Sequence, residues 1–361
     1  MKAVVWDGEF TIRDDITANP LRSRDVLVRM MYAGVCHSDL SATNGTINLA
    51  SATVMGHEGA GVVEAVGDGV SSVAPGDHVV IVPFGSCGQC AACDVGAPSQ
   101  CAAPDGGGAG GGRMSAGEGP IAQFANIGAY AHHAVLFETQ CVRIEPDVPL
   151  SVACLLSCAL LTGYGAVTHR ARVRPGDTVA VIGAGGIGQA AIQAARLSSA
   201  ARIVVVDVNE SKRDIAMVMG ATDFVVVGVD ELAAEVTRVV PGGVDFVFEC
   251  VGAPDLVRAG FAALAVGGTE VMLGIGKADA EVTVPSWSLY FNRGLVGSRM
   301  GNAQPHRDIP LLADFYRRGQ LLLDEMVTKV YPIDDVATAF ADLSAGKLNR
   351  GVLSFEGWEA P

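Results

Sequence analysis

Short apolar runs separated by glycine and proline turns occupy the chain up to about residue 155. The clearest runs lie at residues 26–31, 61–66 and 78–82, and the last of them follows an Ala-Pro-Gly-Asp turn at residues 74–77. Runs of this length, bounded by turn-forming residues, are typical of β-strands. The pattern therefore predicts a compact, β-rich, barrel-like domain in this part of the chain.

From about residue 155 the periodicity changes, and strand-like runs alternate with helical stretches. We predict strands at residues 178–182, 201–207, 244–249 and 269–274, and helices at residues 188–198 and 211–220. This alternation indicates βαβ units and a doubly wound parallel sheet, so the fold class is α/β. Beyond about residue 297, predicted helices at residues 307–318 and 333–344 and a strand at 351–355 indicate a tail that returns to the first domain.

Composition and charge narrow the classes of protein to which the chain can belong. It has 361 residues, of which 50% are hydrophobic and 18% charged, enough for more than one domain core. Its net charge of −14 disfavours nucleic acid and anionic membranes as partners. The chain begins without a signal-peptide pattern and contains no apolar run long enough to span a bilayer. We therefore expect a soluble, cytoplasmic protein.

The first group of candidate metal ligands lies between residues 34 and 61. Cys36, Ser38 and Asp39 are followed by His57 and Glu58, and glycines flank both motifs. Sulfur and imidazole together favour zinc, and a catalytic zinc site needs three protein ligands and one open position. The pair Cys36 and His57 lacks a third member, which must come from elsewhere. The alternative is a cysteine and a histidine that are merely buried.

Four further cysteines lie close together at Cys87, Cys90, Cys93 and Cys101. Four adjacent thiolates repel unless a dication neutralises them, and an all-cysteine set of four forms a closed zinc site without room for substrate. In a reducing compartment this spacing favours metal ligation over disulfides. We predict a structural zinc; an iron–sulfur cluster and four free thiols are the alternatives.

The glycine-rich residues 102–118 contain too little apolar side chain to pack independently. We expect a mobile surface loop, which is either a plain linker or a lid over the site.

A dinucleotide-binding pattern follows the predicted strand at residues 178–182. Gly183, Gly185 and Gly188 form G-x-G-x-x-G at the start of a helix, with Gly186 and Ile187 between them. Such glycines permit a tight turn and bring the helix N-terminus to a pyrophosphate. Asp207 ends the next strand near the spacing of an acid that binds the adenosine ribose, and its charge disfavours the 2′-phosphate of NADP. The pattern predicts NAD; a glycine turn with a solvated aspartate is the alternative.

Taken in order, these motifs make the chain resemble the zinc-containing medium-chain alcohol dehydrogenases, and more closely their liver-type branch with two zinc sites. The resemblance spans nearly the whole chain. It rests on the motifs at residues 34–39 and 56–61, the four cysteines, residues 157–165, the glycine turn, Asp207 with Lys212, and residues 349–351. It implies a GroES-like catalytic domain at residues 1–158, a Rossmann domain at residues 159–296, and a return to the catalytic domain at residues 297–361.

The resemblance supplies the missing ligand, Cys158, so that the catalytic zinc set is Cys36, His57 and Cys158 with Glu58 behind the metal. Two thiolates offset the zinc charge and still allow a bound alcohol to ionise near neutral pH. Asp39 is implied to orient the ring of His57. Ser38 is implied to take the alcohol proton. We interpret Cys141, Cys154 and Cys250 as ordinary core cysteines.

The same resemblance implies the cofactor contacts. Thr162 is expected to face the nicotinamide, His37 and Arg350 to hold the pyrophosphate, and Lys212 to contact the adenosine ribose. Two positions depart from the liver-type pattern. Ser41 replaces the histidine that ends the proton relay, and His37 replaces a frequent arginine, so we expect easier and more pH-dependent release of NADH.

The function expected from these observations is the reversible, NAD-dependent oxidation of alcohols, with two zinc ions per chain and substrate bound between the domains. Residues 40–56 contain no charged side chain, and the resemblance places them at the substrate entrance. A neutral entrance favours medium-sized apolar primary alcohols, and the small Ser38 leaves room for some secondary ones. The alternatives are a formaldehyde dehydrogenase acting on S-hydroxymethyl-thiol adducts and a non-catalytic binding protein. We expect a homodimer through the edge near residues 295–299, or a homotetramer.

Overall fold

The computed structural model describes residues 1–49, 51–103 and 112–358, which divide into two units. Unit 1 comprises Met1–Cys158 and Gln304–Pro361, and unit 2 comprises Ala159–Ala303. Of the loop predicted at residues 102–118, residues 104–111 lie outside the described residues.

The first part of unit 1 consists mainly of short strands. They are β1 (Ala3–Trp6), β2 (Phe10–Arg13), β3 (Ile16–Ala18), β4 (Asp25–Val35), β5 (Thr53–Val54), β6 (Gly59–Val66), β7 (His78–Ile81), β8 (Met114–Ala116), β9 (Gly119–Pro120), β10 (Ala122–Gln123), β11 (His133–Phe137) and β12 (Cys141–Arg143). Within the described residues of this part, these strands are accompanied by the short helices α1 (His37–Thr43), α2 (Ala91–Asp94) and α3 (Leu150–Ala153). In the first half of β4, the buried Val26, Val28 and Met30 alternate with less buried positions, as expected for a strand with one face on a core.

Unit 2 contains six parallel strands with helices between them. The strands are β13 (Thr178–Ile182), β14 (Arg202–Asp207), β15 (Asp223–Val226), β16 (Val244–Glu249), β17 (Leu264–Met272) and β18 (Gly294–Gly297). The helices are α4 (Ala159–Gly165), α5 (Gly186–Leu197), α6 (Arg213–Met219), α7 (Val229–Val239), α8 (Pro254–Ala262) and α9 (Ser286–Tyr290). The strand order β15-β14-β13-β16-β17-β18 is that of a Rossmann sheet, so the predicted fold class is confirmed.

The last segment completes the main sheet of unit 1. It contains α10 (Pro305–Arg317), β19 (Val327–Pro332), α11 (Val336–Ser344) and β20 (Arg350–Ser354). β20 pairs antiparallel with β4 and parallel with β19, which gives the order β12-β7-β6-β4-β20-β19, with β11 also paired to β4. In this register Gly351 lies opposite Val35, so Arg350 is brought beside the residue that follows β4, Cys36.

Unit 2 extends to Ala303, beyond residue 296 where the sequence predicted its end. The reason is close packing between α4 and the 3₁₀ turn Arg299–Asn302. A Cβ atom on Gly301 would lie 2.3 Å from the carbonyl oxygen of Thr162, and one on Gly165 would lie 2.4 Å from that of Gly301. Glycine at both positions therefore lets the two backbones approach.

Apolar side chains fill a core in each unit. The unit 1 core includes Met30, Met55 and Tyr130, and the sheet and helices of unit 2 enclose Val204, Val247 and Phe261. Within the described residues, no single helix combines the length and the apolar character needed to cross a bilayer; one bent pair of helical segments, Leu150–Leu156 with Ala159–Ala171, meets those criteria jointly.

One ionisable side chain in the core of unit 2 has no compensating partner. Glu270 on β17 is 0% exposed, and neither carboxyl oxygen forms a hydrogen bond with any described residue. Its side chain packs against α8, where a Cβ atom on Gly260 would lie 2.6 Å from Oε1. Burial and the nearby Glu249 raise the pKa of Glu270 to about 9. Glu270 therefore stays protonated near neutral pH.

Replacing Glu270 with Gln should remove a pH dependence of stability. Because the folded pKa is about 9 and the ordinary value is 4.5, the unfolded chain loses this proton at lower pH than the folded chain does. The free energy of unfolding should therefore fall as pH rises between those values, by at most about 1.4 kcal/mol per pH unit from this group. Thermal unfolding across that pH range should show the loss of stability in the parent and a weaker loss in Glu270→Gln.

The exposed Glu231 on α7 provides a matched control, since Glu231→Gln removes a carboxylate of the same unit without altering a buried acid. It should follow the parent. Identical pH dependence in Glu270→Gln and the parent would contradict the assignment.

Candidate active site

Two groups of side chains in unit 1 bring metal-binding atoms together. The first is Cys36, His57, Glu58 and Cys158, all buried, and the second is Cys87, Cys90, Cys93 and Cys101. In each group the candidate ligand atoms lie within 4.8 Å of one another. These are the two ligand sets predicted from the sequence, and the structure brings together every member of both.

The main sheet of unit 1 positions the first group. Cys36 follows β4 as the N-cap of α1, and His57 and Glu58 immediately precede β6, the neighbour of β4. Gly56 turns the chain into this position with φ of +90°, and a Cβ atom there would lie 2.4 Å from the ring of Tyr130. Beside Cys158, the hydroxyl of Ser157 donates hydrogen bonds to the carbonyl oxygens of His57 and Ile81.

The donor chemistry of this group fits a zinc ion. Nδ1 of His57 lies 3.1 Å from Oδ2 of Asp39, yet neither ring nitrogen forms a hydrogen bond of standard geometry with a described residue. A hydrogen bond between the two thiols lowers the pKa of Cys36 well below its ordinary value and raises that of Cys158. A buried imidazole that faces a carboxylate through Nδ1 and lies beside an ionisable thiol pair is a set of donors that suits a metal. A zinc ion held there would supply a Lewis acid that promotes ionisation of a bound alcohol.

Glu58 faces the same group and forms a buried ion pair with Arg350. Burial raises the pKa of Glu58 to about 7, against the opposing effect of Arg350. Gly34 leaves space for the pair, since a Cβ atom there would lie 2.1 Å from Oε2 of Glu58. The other oxygen, Oε1, has no hydrogen-bond partner in the described part of the chain and remains available to a metal. Arg350 is 3% exposed, so the structure places it against Glu58, and its predicted contact with a pyrophosphate stays a prediction.

The four-cysteine group is held by backbone as well as by sulfur. Sγ of Cys90 lies 3.6 Å from that of Cys93 and 3.8 Å from that of Cys101. The amide of Cys87 donates to the sulfur of Cys101. Hydrogen bonds from backbone, first that of Ala102, lower the pKa of Cys90 to about 6, which favours the thiolate that a metal requires.

The cysteines outside the two groups differ from Cys36 and Cys90, whose pKa values are lowered. Burial raises the pKa of Cys141, Cys154 and Cys250, so their thiols stay protonated. This is the behaviour expected of core cysteines.

In unit 2 the predicted dinucleotide turn joins β13 to α5. Gly183 has φ of +90°, and a Cβ atom on Gly188 would lie 1.9 Å from the carbonyl oxygen of Gly183, so both positions require glycine. Asp207 at the end of β14 accepts hydrogen bonds from the amides of Ala184 (2.8 Å) and Asn209 (2.9 Å). Nζ of Lys212 lies 3.5 Å from the same carboxylate. Asp207 and Lys212 therefore lie together beside the glycine turn.

The remaining predicted residues lie on two helices. His37 is exposed, Ser38 is partly exposed and Asp39 is buried on α1, while Thr162 lies on α4. Their predicted contacts with substrate and cofactor stay predictions. Tyr130 was not predicted as a site residue; it lies 91 positions from Asp39 in the chain, and its hydroxyl donates to that carboxylate. No motif marks Tyr130, because the contact depends on how the chain folds between β10 and β11.

Known proteins share this arrangement. Residues 22–146 match the alcohol dehydrogenase GroES-like domain, and residues 186–318 match the zinc-binding dehydrogenase family. The chain is 33% identical to S-(hydroxymethyl)glutathione dehydrogenase of Saccharomyces cerevisiae, over 97% of this chain and 95% of that protein. It is 36% identical to alcohol dehydrogenase B of Mycobacterium tuberculosis, over 98% of this chain and 97% of that protein. The crystal structure of benzyl alcohol dehydrogenase from Acinetobacter calcoaceticus superposes with a TM-score of 0.92 at 27% identity, covering 98% of each chain.

A Rossmann unit with a glycine turn, combined with a β-rich unit that gathers two sets of zinc ligands, defines a zinc-dependent dehydrogenase. With the sequence matches, this chain belongs to the zinc-containing medium-chain alcohol dehydrogenases. It is an enzyme, and its cofactors are zinc and NAD. The predicted family, enzyme class and cofactors are thereby confirmed.

Two zinc ions per chain are expected, with different consequences when each is lost. Cys36→Ser should remove about one zinc and abolish activity while the fold is kept, because its group borders a sheet that is stabilised by an apolar core of its own. Cys93→Ser should instead mainly lower the thermal midpoint, since residues 87–101 have little apolar packing of their own. Metal analysis and thermal unfolding of the two variants check this.

Cys250→Ser changes a cysteine outside both groups and should retain both zinc ions. One zinc in the parent protein would refute the two-site assignment.

Proposed function

We propose that the enzyme oxidises medium-sized apolar primary alcohols, and some secondary ones, reversibly to aldehydes and ketones with NAD. The observation that carries this proposal is the uncharged segment at residues 40–56. Its Leu40, Ile47 and Leu49 are partly buried and pack against the unit 1 core. An apolar substrate gains about 25 cal/mol per Å² when it is buried against such side chains, whereas a charged substrate loses hydration without compensation.

We expect residues 102–112 to form a loop that faces this segment. Arg113, which follows that loop and is the first lysine or arginine after residue 56, supports the same proposal. Its Nε lies 2.9 Å from Oδ1 of Asp25, and both side chains are 3% exposed. Because Arg113 is engaged in a buried ion pair, it does not present a cationic anchor for a peptide-like substrate. Asp105, the acidic residue of the facing loop, lies outside the described residues.

The similarity to an enzyme named benzyl alcohol dehydrogenase supports an aromatic substrate class. A second candidate is the oxidation of S-hydroxymethyl-thiol adducts. It is favoured by relatives at 32–33% identity that are named S-(hydroxymethyl)glutathione dehydrogenase. The two substrate classes need different side chains at the entrance. A glutathione adduct is charged and needs side chains of opposite charge, whereas an apolar alcohol does not.

Ser38 is the group that we assign to the first proton transfer. It lies on α1 between Cys36 and Asp39 and is partly exposed, so its hydroxyl can accept a proton from a bound alcohol and pass it on. Ser41, one helical turn further, has no titratable nitrogen with which to continue a relay. Water is therefore proposed as the next proton carrier.

A panel of ethanol, hexanol, benzyl alcohol, geraniol, cyclohexanol and S-hydroxymethylglutathione tests the substrate class. We expect kcat/KM, measured by NADH absorbance, to be highest for benzyl alcohol, geraniol or hexanol, because these bury the most apolar surface without a charge. Ser38→Ala should reduce kcat for every alcohol in the panel.

Leu40→Ala and Leu49→Ala should lower kcat/KM for benzyl alcohol more than for ethanol if these side chains contact substrate. A highest value for S-hydroxymethylglutathione would replace the proposal with the formaldehyde reaction. A highest value for ethanol would show that the site is too narrow for the proposed substrates.

We further propose that the enzyme forms a homodimer through the β18 edge of unit 2. β18 is the last strand of the sheet, and such an edge offers unpaired backbone groups to a second copy. Nearby on α9, Trp287 is 68% and Tyr290 73% exposed, with their rings stacked 5.1 Å apart. Exposed aromatic residues of this kind favour an interface.

The double variant Trp287→Asp with Tyr290→Asp should therefore shift the mass measured by analytical ultracentrifugation from dimer towards monomer. Val218→Asp, at a residue of α6 that is 54% exposed, should leave the mass unchanged. A monomeric parent would refute the proposed interface, and a tetramer would require a further one.

A further inference from the structure

A tyrosine hydroxyl lies directly behind the Asp39–His57 contact. Tyr130 is 0% exposed, and its Oη lies 3.3 Å from Oδ2 of Asp39 and 2.9 Å from the carbonyl oxygen of Gly34. The same Oδ2 faces Nδ1 of His57 at 3.1 Å. The other oxygen, Oδ1, accepts a hydrogen bond from the amide of Gly56 at 3.2 Å. The phenol has one proton, which it shares between the carbonyl oxygen of Gly34 and Oδ2 of Asp39, so part of its hydrogen bond falls on the carboxylate oxygen that the imidazole also faces.

We propose that Tyr130 is a positioning residue that weakens the pull of Asp39 on His57, and thereby limits how strongly His57 donates to the catalytic metal. The inference rests on the assignment of Cys36, His57 and Cys158 as the ligands of that metal. It assigns a role to the hydroxyl of Tyr130 and no new role to the ligands.

Tyr130 and His57 face the same acceptor, Oδ2 of Asp39, and this predicts how the hydroxyl affects metal binding. A hydrogen bond from Tyr130 withdraws electron density from Oδ2 of Asp39, so this oxygen becomes a weaker acceptor for the Nδ1 proton of His57. A weaker bond at Nδ1 makes the other ring nitrogen a weaker donor to a metal. Without the hydroxyl, Asp39 should pull harder on His57, and the metal should be held more tightly.

The ring and the hydroxyl of Tyr130 have separate tasks. The ring fills space next to Gly56, and phenylalanine would fill that space equally well. The hydroxyl is a buried polar group, and burying it is costly unless it forms hydrogen bonds. Burial, followed by the facing carboxylates of Asp39 and Glu58, raises the pKa of Tyr130 well above its ordinary value, so the phenol keeps the proton that it donates.

Tyr130→Phe tests the proposal because it removes the hydroxyl and keeps the ring. The readout is the rate at which the purified enzyme, without substrate or NAD, releases catalytic zinc to a coloured chelator. We expect release to be about threefold slower or more, a smaller effect than the 10- to 100-fold typical of changing a ligand's direct carboxylate partner. The visible absorption of the cobalt-substituted enzyme should also shift, because the His57 donor changes.

The matched control is Tyr331→Phe. Tyr331 is also buried in unit 1 and donates to a carboxylate, Asp342, at 2.8 Å, but it belongs to neither metal group. Its loss should alter neither zinc release nor the cobalt spectrum. A second comparison places Tyr130→Phe in an Asp39→Ala background, which has no side-chain acceptor at this position, so the hydroxyl should have no further effect on release.

Each outcome bears on the proposal. Slower release from Tyr130→Phe that disappears in the Asp39→Ala background supports it. Unchanged or faster release overturns it, because a hydroxyl that only stabilised the fold would loosen the site when removed. The same change in both backgrounds also overturns it. Absence of catalytic zinc from the parent would instead remove the ligand assignment, and metal analysis detects that separately.

Discussion

The arrangement of unit 1 depends on the cost of burying ionisable groups together. Two thiols, an imidazole and a carboxyl group converge within 4.8 Å in a region from which water is excluded. Left without compensation, such a set would be strongly unfavourable, because a buried charge needs a partner of opposite charge or a metal. Asp39 and Arg350 supply part of this compensation from the protein itself, and a divalent cation held by the group would supply the rest.

Backbone proximity makes this convergence possible, and glycines provide it. Gly34 leaves space for the Glu58–Arg350 pair, and Gly56 leaves space for the ring of Tyr130. In unit 2, Gly188 similarly lets α5 approach the turn after β13. These glycines have no reactive side chain of their own. A Cβ atom at any of the three positions would nevertheless collide with a neighbour, namely Glu58, the ring of Tyr130 or the backbone of Gly183.

Glu270 shows the opposite case, a buried acid that the protein keeps without a partner. The ion pair of Glu58 with Arg350 and the unsatisfied carboxyl group of Glu270 are both fully buried, but only the first lies in a metal-binding group. Burial raises the pKa of both carboxyl groups, but Arg350 opposes the rise at Glu58, whose pKa is about 7, whereas Glu270 has no such partner and its pKa rises to about 9. Unit 2 is therefore most stable when Glu270 is protonated and uncharged.

The sequence by itself determined the fold class, the two ligand sets and the dinucleotide turn. Each of these depends on local spacing: cysteines a few residues apart, glycines at a strand-to-helix turn, and an acid at the end of the next strand. The elements β15, α7 and α8 were not predicted, because their hydrophobic periodicity is short or mixed and is weaker than that of the neighbouring elements. Only the tertiary structure determined two ion pairs, Arg350 with Glu58 and Arg113 with Asp25. It also determined the hydrogen bond from Tyr130 to Asp39. These contacts join residues between 88 and 292 positions apart, and they depend on strand register and on the space left by glycine, which no local pattern encodes.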